Sequence, residues 1–169
     1  MKLFVYGSLR MGLYNYELYL KGKSRFLGYG YVIGELYSLK ERSYPALLPG
    51  NSRILGEIYE VDEAAARAVD ALEEYVPGSS ENEYEKINTQ ILDEQGTQLD
   101  ILPVYWYHVE RPGNRELLDE IIQEHDYKER WLLIKSRCLS LNRTALLNAA
   151  EKRSEIIKRH RAGSAILPL

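Results

Sequence analysis

Hydrophobic and polar positions follow two rhythms along this chain, and the switches between them predict its elements. The first run, Leu3-Phe4-Val5-Tyr6, is wholly apolar or aromatic and reads as a buried strand. Gly7 follows it, and a residue without a Cβ lets the chain turn sharply because it can take φ > 0. A short amphipathic piece covers 14–20. Strands are predicted at 24–33, 35–39 and 53–61, where tyrosine, valine, isoleucine and leucine recur between polar and glycine positions. The rhythm then becomes helical over 62–75: Asp62 is a good N-cap, and Ala64, Ala65, Ala66, Ala68 and Ala71 are strong helix formers. A polar loop, Pro77-Gly78-Ser79-Ser80-Glu81-Asn82, leads into strands at 84–92 and 99–108. Asp93-Glu94-Gln95-Gly96 between them is a hairpin turn with glycine at the φ > 0 position. Strands interrupted by one helix predict an α+β fold, a small, partly closed mixed β-barrel with the helix packed on it.

Past Arg111-Pro112-Gly113 the pattern changes again. Asn114 serves as an N-cap for a helix in which Leu117, Leu118, Ile121 and Ile122 repeat at helical spacing. Asp126 and Glu129 resemble a capping box before Trp131, Leu132, Ile134 and Cys138, and Asn142 caps a third helix carrying Leu146, Leu147, Ala150 and Ile157. The predicted organisation is therefore a domain at 1–112 and a C-terminal helical extension at 113–169, packed on the barrel. Lys152, Arg153, Lys158, Arg159 and Arg161 make its end basic, but Glu151 and Glu155 are interleaved as on a solvated helix face.

Composition narrows the classes of function. A chain of 169 residues, 45% of them hydrophobic, fills a sizeable core. Its net charge of −3 argues against binding nucleic acid by phosphate neutralisation. One cysteine, Cys138, cannot form an internal disulfide, which fits a reducing compartment. No signal peptide and no apolar run of transmembrane length is present, so a cytoplasmic protein without membrane contact is expected, as monomer or homodimer. His108, His125 and His160 lack metal-ligand spacing, and Ser8 has no evident Ser-His-Asp partners, so neither a metal site nor a serine nucleophile is expected. Of the many tyrosines most belong to strands, where aromatic rings pack well.

Two features carry candidate chemistry. The small residues after the first strand, Gly7-Ser8-Leu9, can aim successive N–H groups at one point and hold a carboxylate or an oxyanion. On the predicted helix, at about 100° per residue, Ala65, Ala66, Val69 and Leu72 span an arc of roughly 120° that faces a core, and Glu73 falls inside it. Glu63, Asp70 and Glu74 project from the other side. A carboxylate is rarely placed on a core face unless it is paired or functional.

Together these residues resemble the γ-glutamylcyclotransferase-like superfamily, in its γ-glutamylamine cyclotransferase (AIG2-like) branch. Val5-Tyr6-Gly7-Ser8-Leu9 is similar to its amino-terminal signature. Val69-Asp70-Ala71-Leu72-Glu73 is similar to its second motif, which ends in the catalytic glutamate. Tyr44-Pro45-Ala46-Leu47 resembles the Pro-containing loop, Gly56-Glu57-Ile58-Tyr59-Glu60-Val61 the strand leading to the glutamate helix, Tyr84 the tyrosine opening the next strand, and Val104-Tyr105-Trp106-Tyr107 the late aromatic strand. The likeness covers roughly residues 1–110. Members commonly carry glycine after the catalytic glutamate, where this chain has Glu74.

The resemblance implies a barrel with a cavity at one end and an enzyme without cofactor. Its small-molecule γ-glutamyl substrate cyclises, the glutamyl α-amine attacking the γ-amide carbonyl to release an amine or amino acid and 5-oxoproline. It implies Glu73 as general acid/base and Tyr6, Gly7, Ser8, Leu9 and Tyr84 as substrate-binding residues. An ordinary Glu has pKa about 4.3 and an α-amine about 7.7, so the proton moves uphill by roughly 4.6 kcal/mol, and burial narrows that gap. Glu73 on the apolar face meets this need and Glu74 does not. Two other readings stay open: a superfamily member turned metabolite-binding module, for which Glu74 in place of glycine speaks, and a partner-binding protein acting through its helical extension.

Overall fold

The computed structural model describes residues 1–140 of the chain, in two units, the first Met1–Arg130 and the second beginning at Trp131. In the first, six strands form one antiparallel sheet: β1 (Lys2–Val5), β2 (Ser24–Leu39), β3 (Ala46–Val61), β4 (Tyr84–Leu92), β5 (Gln98–Tyr107) and β6 (Leu118–Ile121). Their order is β1-β3-β2-β4-β5, and β6 pairs with β2. The helix α1 (Glu63–Leu72) links β3 to β4, and Asp62 caps it by accepting from the Ala65 N–H at 2.7 Å. Its Ala65, Ala66 and Val69 are buried with Leu3, Val5, Tyr59 and Tyr105 in one core cluster.

The α+β class is present, but the pairing path does not close into a barrel. It ends on β1 and β5, which share no backbone ladder. β1 is only four residues long, so few groups are available for a second ladder. Side chains connect the two ends instead: Lys2 Nζ donates to Asp100 Oδ2 at 2.7 Å, and Tyr6 OH to the Tyr105 carbonyl at 2.6 Å.

The strands predicted at 24–33 and 35–39 are one strand with an irregularity between Gly34 and Glu35. A Cβ on Gly34 would lie 2.8 Å from Leu47 Cδ1 and 2.9 Å from the Leu48 carbonyl, so glycine permits a close crossing there rather than ending the strand. β3 likewise starts at Ala46, earlier than the predicted 53. Glu35 spans the irregularity by accepting from Ser52 Oγ at 2.7 Å. The hairpin at 93–96 has Gly96 at φ 85, as predicted.

The segment after Gly113 departs most from expectation. Only Asn114–Leu117 is helical (α2), Gly113 is its N-cap, and Asn114 is a buried residue whose Nδ2 donates to the His108 carbonyl at 2.8 Å. Leu118 and Ile121 belong to β6 rather than to a helix. The reason lies in β2: β4 pairs with it only at Tyr31, so its edge beyond that point needs another partner, and β6 supplies one at Tyr37 and Leu39. Ile122, next in line, is buried.

Asp126 caps the helical residues from 127 onward, its Oδ1 accepting from the N–H groups of Lys128 and Glu129 at 2.8 and 3.2 Å. In the second unit residues 131–140 are helical, with Lys135 Nζ 4.6 Å from the Trp131 ring centre. The helix predicted from Asn142, the basic stretch and the tail lie outside the described residues. No described helix is long and apolar enough to cross a membrane.

Candidate active site

Where α1 stops decides where Glu73 points. The helix was expected to run to 75; it ends at Leu72, with Glu73 as C-cap at φ −83°, ψ 7°. The Tyr75 N–H returns to the Asp70 carbonyl at 2.9 Å and the Glu74 N–H to the Ala71 carbonyl at 3.4 Å, the bonds of a Schellman motif. Such a motif requires a left-handed residue just past the cap, and here Glu74 takes φ 51°. The position after Glu73 thus takes a conformation that favours glycine with a glutamate, strained by about 1–2 kcal/mol. The exposed Glu74 side chain reaches only a 3.3 Å contact with Arg111, which contributes little. Glu74→Gly is therefore expected to stabilise the protein, raising its melting temperature by about 2–4 °C. A lowered melting temperature in thermal denaturation would contradict this account of the turn.

Glu73 lines a small cavity, about 30 Å³, together with Tyr6, Gly7, Ser8, Leu9 and Tyr84. All six residues singled out in the sequence thus meet at one place. Pro45, Tyr44 and Tyr105 complete the wall. The tyrosines form a rigid frame rather than a set of free hydroxyls. Tyr6 OH is bound to the Tyr105 carbonyl, and Tyr84 OH donates to the Pro45 carbonyl at 2.9 Å. Glu73 keeps part of its surface exposed, yet its carboxyl is pushed up to about 8. Desolvation is the main cause, followed by the negative charges of Glu83 and Asp70.

The turn after β1 has a different reason for its glycine than expected. Gly7 is not in the left-handed region. Instead the Pro45 ring packs on it: an added Cβ would lie 3.1 Å from Pro45 Cδ and 3.2 Å from Cγ. Ser8 Oγ accepts from Asn15 Nδ2 at 2.8 Å, a tie within the loop. Among the described residues, the N–H groups of Ser8 and Leu9 donate to no protein acceptor, although both residues are buried. Behind the turn, Arg10 and Glu57 form a buried ion pair with 3.3 Å between Nε and Oε1. Glu57 Oε2 also accepts from the Met11 N–H at 2.7 Å and Tyr59 OH at 2.8 Å, and Arg10 pairs with Asp126 as well. This network fixes the loop that carries Gly7-Ser8-Leu9. Gly7→Ala is expected to push Pro45 away from the wall and reduce kcat/KM about tenfold or more, whereas Ser8→Ala changes it only a few-fold. Steady-state kinetics on the two variants checks this, and an inactive, folded Ser8→Ala would contradict the assignment of the anion-holding role to the backbone.

One acid departs from its sequence reading and a second had none. Asp70, expected on the solvent side, accepts from Lys86 Nζ at 2.7 Å and from Tyr105 OH at 2.5 Å. Glu83 was not singled out at all. It follows a loop that reads as polar and solvated, yet Asn82 and Glu83 are only 1% and 8% exposed. Asn82 closes that loop, accepting from the Val76 N–H at 2.8 Å and donating to its carbonyl at 3.0 Å. Both Glu83 oxygens face the Tyr44 hydroxyl, at 3.2 and 3.3 Å, and burial raises the Glu83 pKa. The one signal for it in sequence is its place directly before Tyr84. Glu83 also lines a second, open pocket of about 490 Å³, which shares Tyr44 with the Glu73 cavity.

The chain is similar to several known proteins. A curated gamma-L-glutamyl-butirosin B gamma-glutamyl cyclotransferase from Niallia circulans is 38% identical over 104 residues, which cover 61% of this chain and 65% of that protein. The match thus spans a little under two thirds of that relative's length. The crystal structure of an AIG2-like protein from Mus musculus is 30% identical with a TM-score of 0.54, covering 69% of this chain and 82% of that one. The solution structure of ytfP from Escherichia coli is 29% identical with a TM-score of 0.52, covering 77% and 98%. The family model described as gamma-glutamyl cyclotransferase, AIG2-like, matches residues 3–129, from β1 through the Asp126 cap, and the chain belongs to that family.

Proposed function

We propose that the protein is a γ-glutamyl cyclotransferase in which Glu73 is the single general acid/base. The observation that carries this reading is that Glu73, whose carboxyl is held up by desolvation, lines one cavity with Ser8 and Leu9, whose N–H groups donate to no protein acceptor among the described residues. Glu73 takes a proton from the substrate's α-ammonium, and the freed amine attacks the γ-carbonyl carbon of the same molecule. The carbonyl oxygen gathers negative charge in the tetrahedral intermediate, and the turn N–H groups are its donors. Collapse breaks the bond to the leaving nitrogen, which receives the proton from Glu73. The resulting carboxylate then passes the second proton of the ring nitrogen to the released amine, so 5-oxoproline and an ammonium leave and the carboxylate is restored. Because nucleophile and electrophile share one molecule, holding it folded supplies an effective molarity on the order of 10⁵ M or more, and little further machinery is needed.

The proton transfer is well matched. A carboxyl at about 8 stands level with an α-amine near about 7.7, so the uphill step of an ordinary glutamate is removed. The metabolite-binding alternative loses its main support, because Glu74 adopts the left-handed conformation itself and leaves the turn intact. The relative from Niallia circulans acts, by its name, on a γ-glutamylated butirosin, and a γ-glutamylated amine or amino acid is the corresponding substrate class here. The test is a screen of γ-glutamyl dipeptides and γ-glutamyl amines for released 5-oxoproline. Release from at least one is expected; none from any would contradict the proposal.

A further inference from the structure

Two loops wall the Glu73 cavity. One carries Gly7-Ser8-Leu9 after β1, and the other, residues 40–45 between β2 and β3, carries Tyr44 and Pro45. They meet where the Pro45 ring packs on Gly7. The cavity is only about 30 Å³, so a small displacement of either wall alters a large fraction of it. Both walls are held from outside, by a stretch that follows β6.

His125 takes φ 53°, a left-handed conformation that a residue with a Cβ keeps only where its surroundings hold it. Its carbonyl accepts from the Leu55 N–H of β3 at 3.0 Å, and its own N–H donates to the Ile122 carbonyl at 3.3 Å. The turn so made sends the next two side chains to different loops. Asp126 pairs with the buried Arg10, which directly follows Leu9. Tyr127 is buried, and its hydroxyl donates to the carbonyl of Ser43, which directly precedes Tyr44. Neither Asp126 nor Tyr127 lines the cavity itself.

We infer that residues 125–127 are a strap that sets the spacing of the two cavity walls, with Asp126 and Tyr127 as positioning residues for the cyclisation. This rests on the cyclotransferase reading above. Asp126 acts through Arg10 on the turn whose N–H groups serve the oxyanion, and Tyr127 acts through Ser43 on the wall made by Tyr44 and Pro45. An intramolecular attack depends on how closely the substrate is held folded, and a misplacement of about 1 Å can cost a factor of about 10².

Two substitutions cut the strap while sparing its other work. Asp126→Ser keeps an N-cap for the following helix but is too short to reach Arg10, which retains Glu57 as partner. Tyr127→Phe keeps the buried ring, and the Ser43 carbonyl retains the Tyr14 hydroxyl at 2.7 Å. With the best γ-glutamyl dipeptide or amine from the screen above, kcat is expected to fall about tenfold or more in Asp126→Ser and about three- to fivefold in Tyr127→Phe. KM should move less than kcat, because the contacts that loosen are those made in the transition state. Ile91→Val, which trims the core outside the cavity, should lower the melting temperature and leave kcat unchanged. Native kcat in both strap variants, an equal loss in Ile91→Val, or a rise in KM alone overturns the inference. If Asp126→Ser does not fold, Tyr127→Phe decides. If no γ-glutamyl compound yields 5-oxoproline, the cyclotransferase reading fails on its own, and the backbone amide NMR signals of Gly7, Ser8 and Leu9 decide the strap. Their displacement in Tyr127→Phe, whose lost hydroxyl served the opposite wall, supports it; unchanged signals overturn it.

Discussion

Glu73→Gln is expected to lower turnover by a factor on the order of 10² to 10⁴ while leaving substrate affinity nearly intact. The amide keeps the shape of the side chain and can still donate and accept hydrogen bonds, but it cannot take the α-ammonium proton or return it to the leaving nitrogen. Folding survives and gains. The carboxyl titrates at about 8 in the folded protein against an ordinary value near about 4.3, so the native state holds a proton that the unfolded chain has released. Its contribution to stability is complete below the unfolded value and is lost progressively as pH rises to about 8. The Gln variant does not titrate, so its melting temperature should exceed that of the native protein by a margin that grows between about pH 5 and pH 8 and is level above. The control, Glu74→Gln, should alter turnover little, since that side chain lies on the exposed side of the turn. An inactive Glu74→Gln beside an active Glu73→Gln would reverse the assignment.

The predicted site was legible because two of its parts are local. The strand-and-turn at Tyr6 to Leu9 needs only a run of apolar residues followed by glycine. The position of Glu73 follows from the α1 stripe set by Ala65, Ala66 and Val69, all three of which are buried. What escaped was set by partners distant in sequence. The reason for Gly7 is Pro45, which packs on it from another strand's entrance, and no local preference for φ > 0 is involved. Glu83 sits in a stretch whose polarity suggests water, and only the folding of β4 beside Tyr44 makes it a buried acid. Leu118 and Ile121 have spacing that suits a helix, yet the unpaired edge of β2 draws them into a strand. Sheet edges are completed by whichever segment arrives, and periodicity within that segment does not report it.

The second large effect is on the pH profile. With Glu73 acting as base from a carboxyl that titrates at about 8, kcat/KM should fall about tenfold for each pH unit below roughly 7, and about fiftyfold between pH 8 and pH 6. A carboxylate of ordinary pKa would keep the activity flat down to about pH 5. The sign follows from the role: the base works only when ionised, and burial together with Glu83 and Asp70 holds the proton on. Removing one of those charges, in Glu83→Gln, should shift the acid limb toward lower pH. An acid limb near pH 4 to 5 in the native protein would mean that Glu73 is solvated in the working enzyme, contrary to its place in the cavity.

The central claim is that the reaction joins the two ends of one substrate molecule and does not use water as nucleophile. Mass spectrometry of the glutamyl product, formed in water enriched in heavy oxygen, tests it most directly. Cyclisation predicts 5-oxoproline with no heavy oxygen and one equivalent of free amine, the product disappearing in Glu73→Gln. Glutamate carrying one heavy oxygen in its γ-carboxyl would show hydrolysis instead and contradict the account.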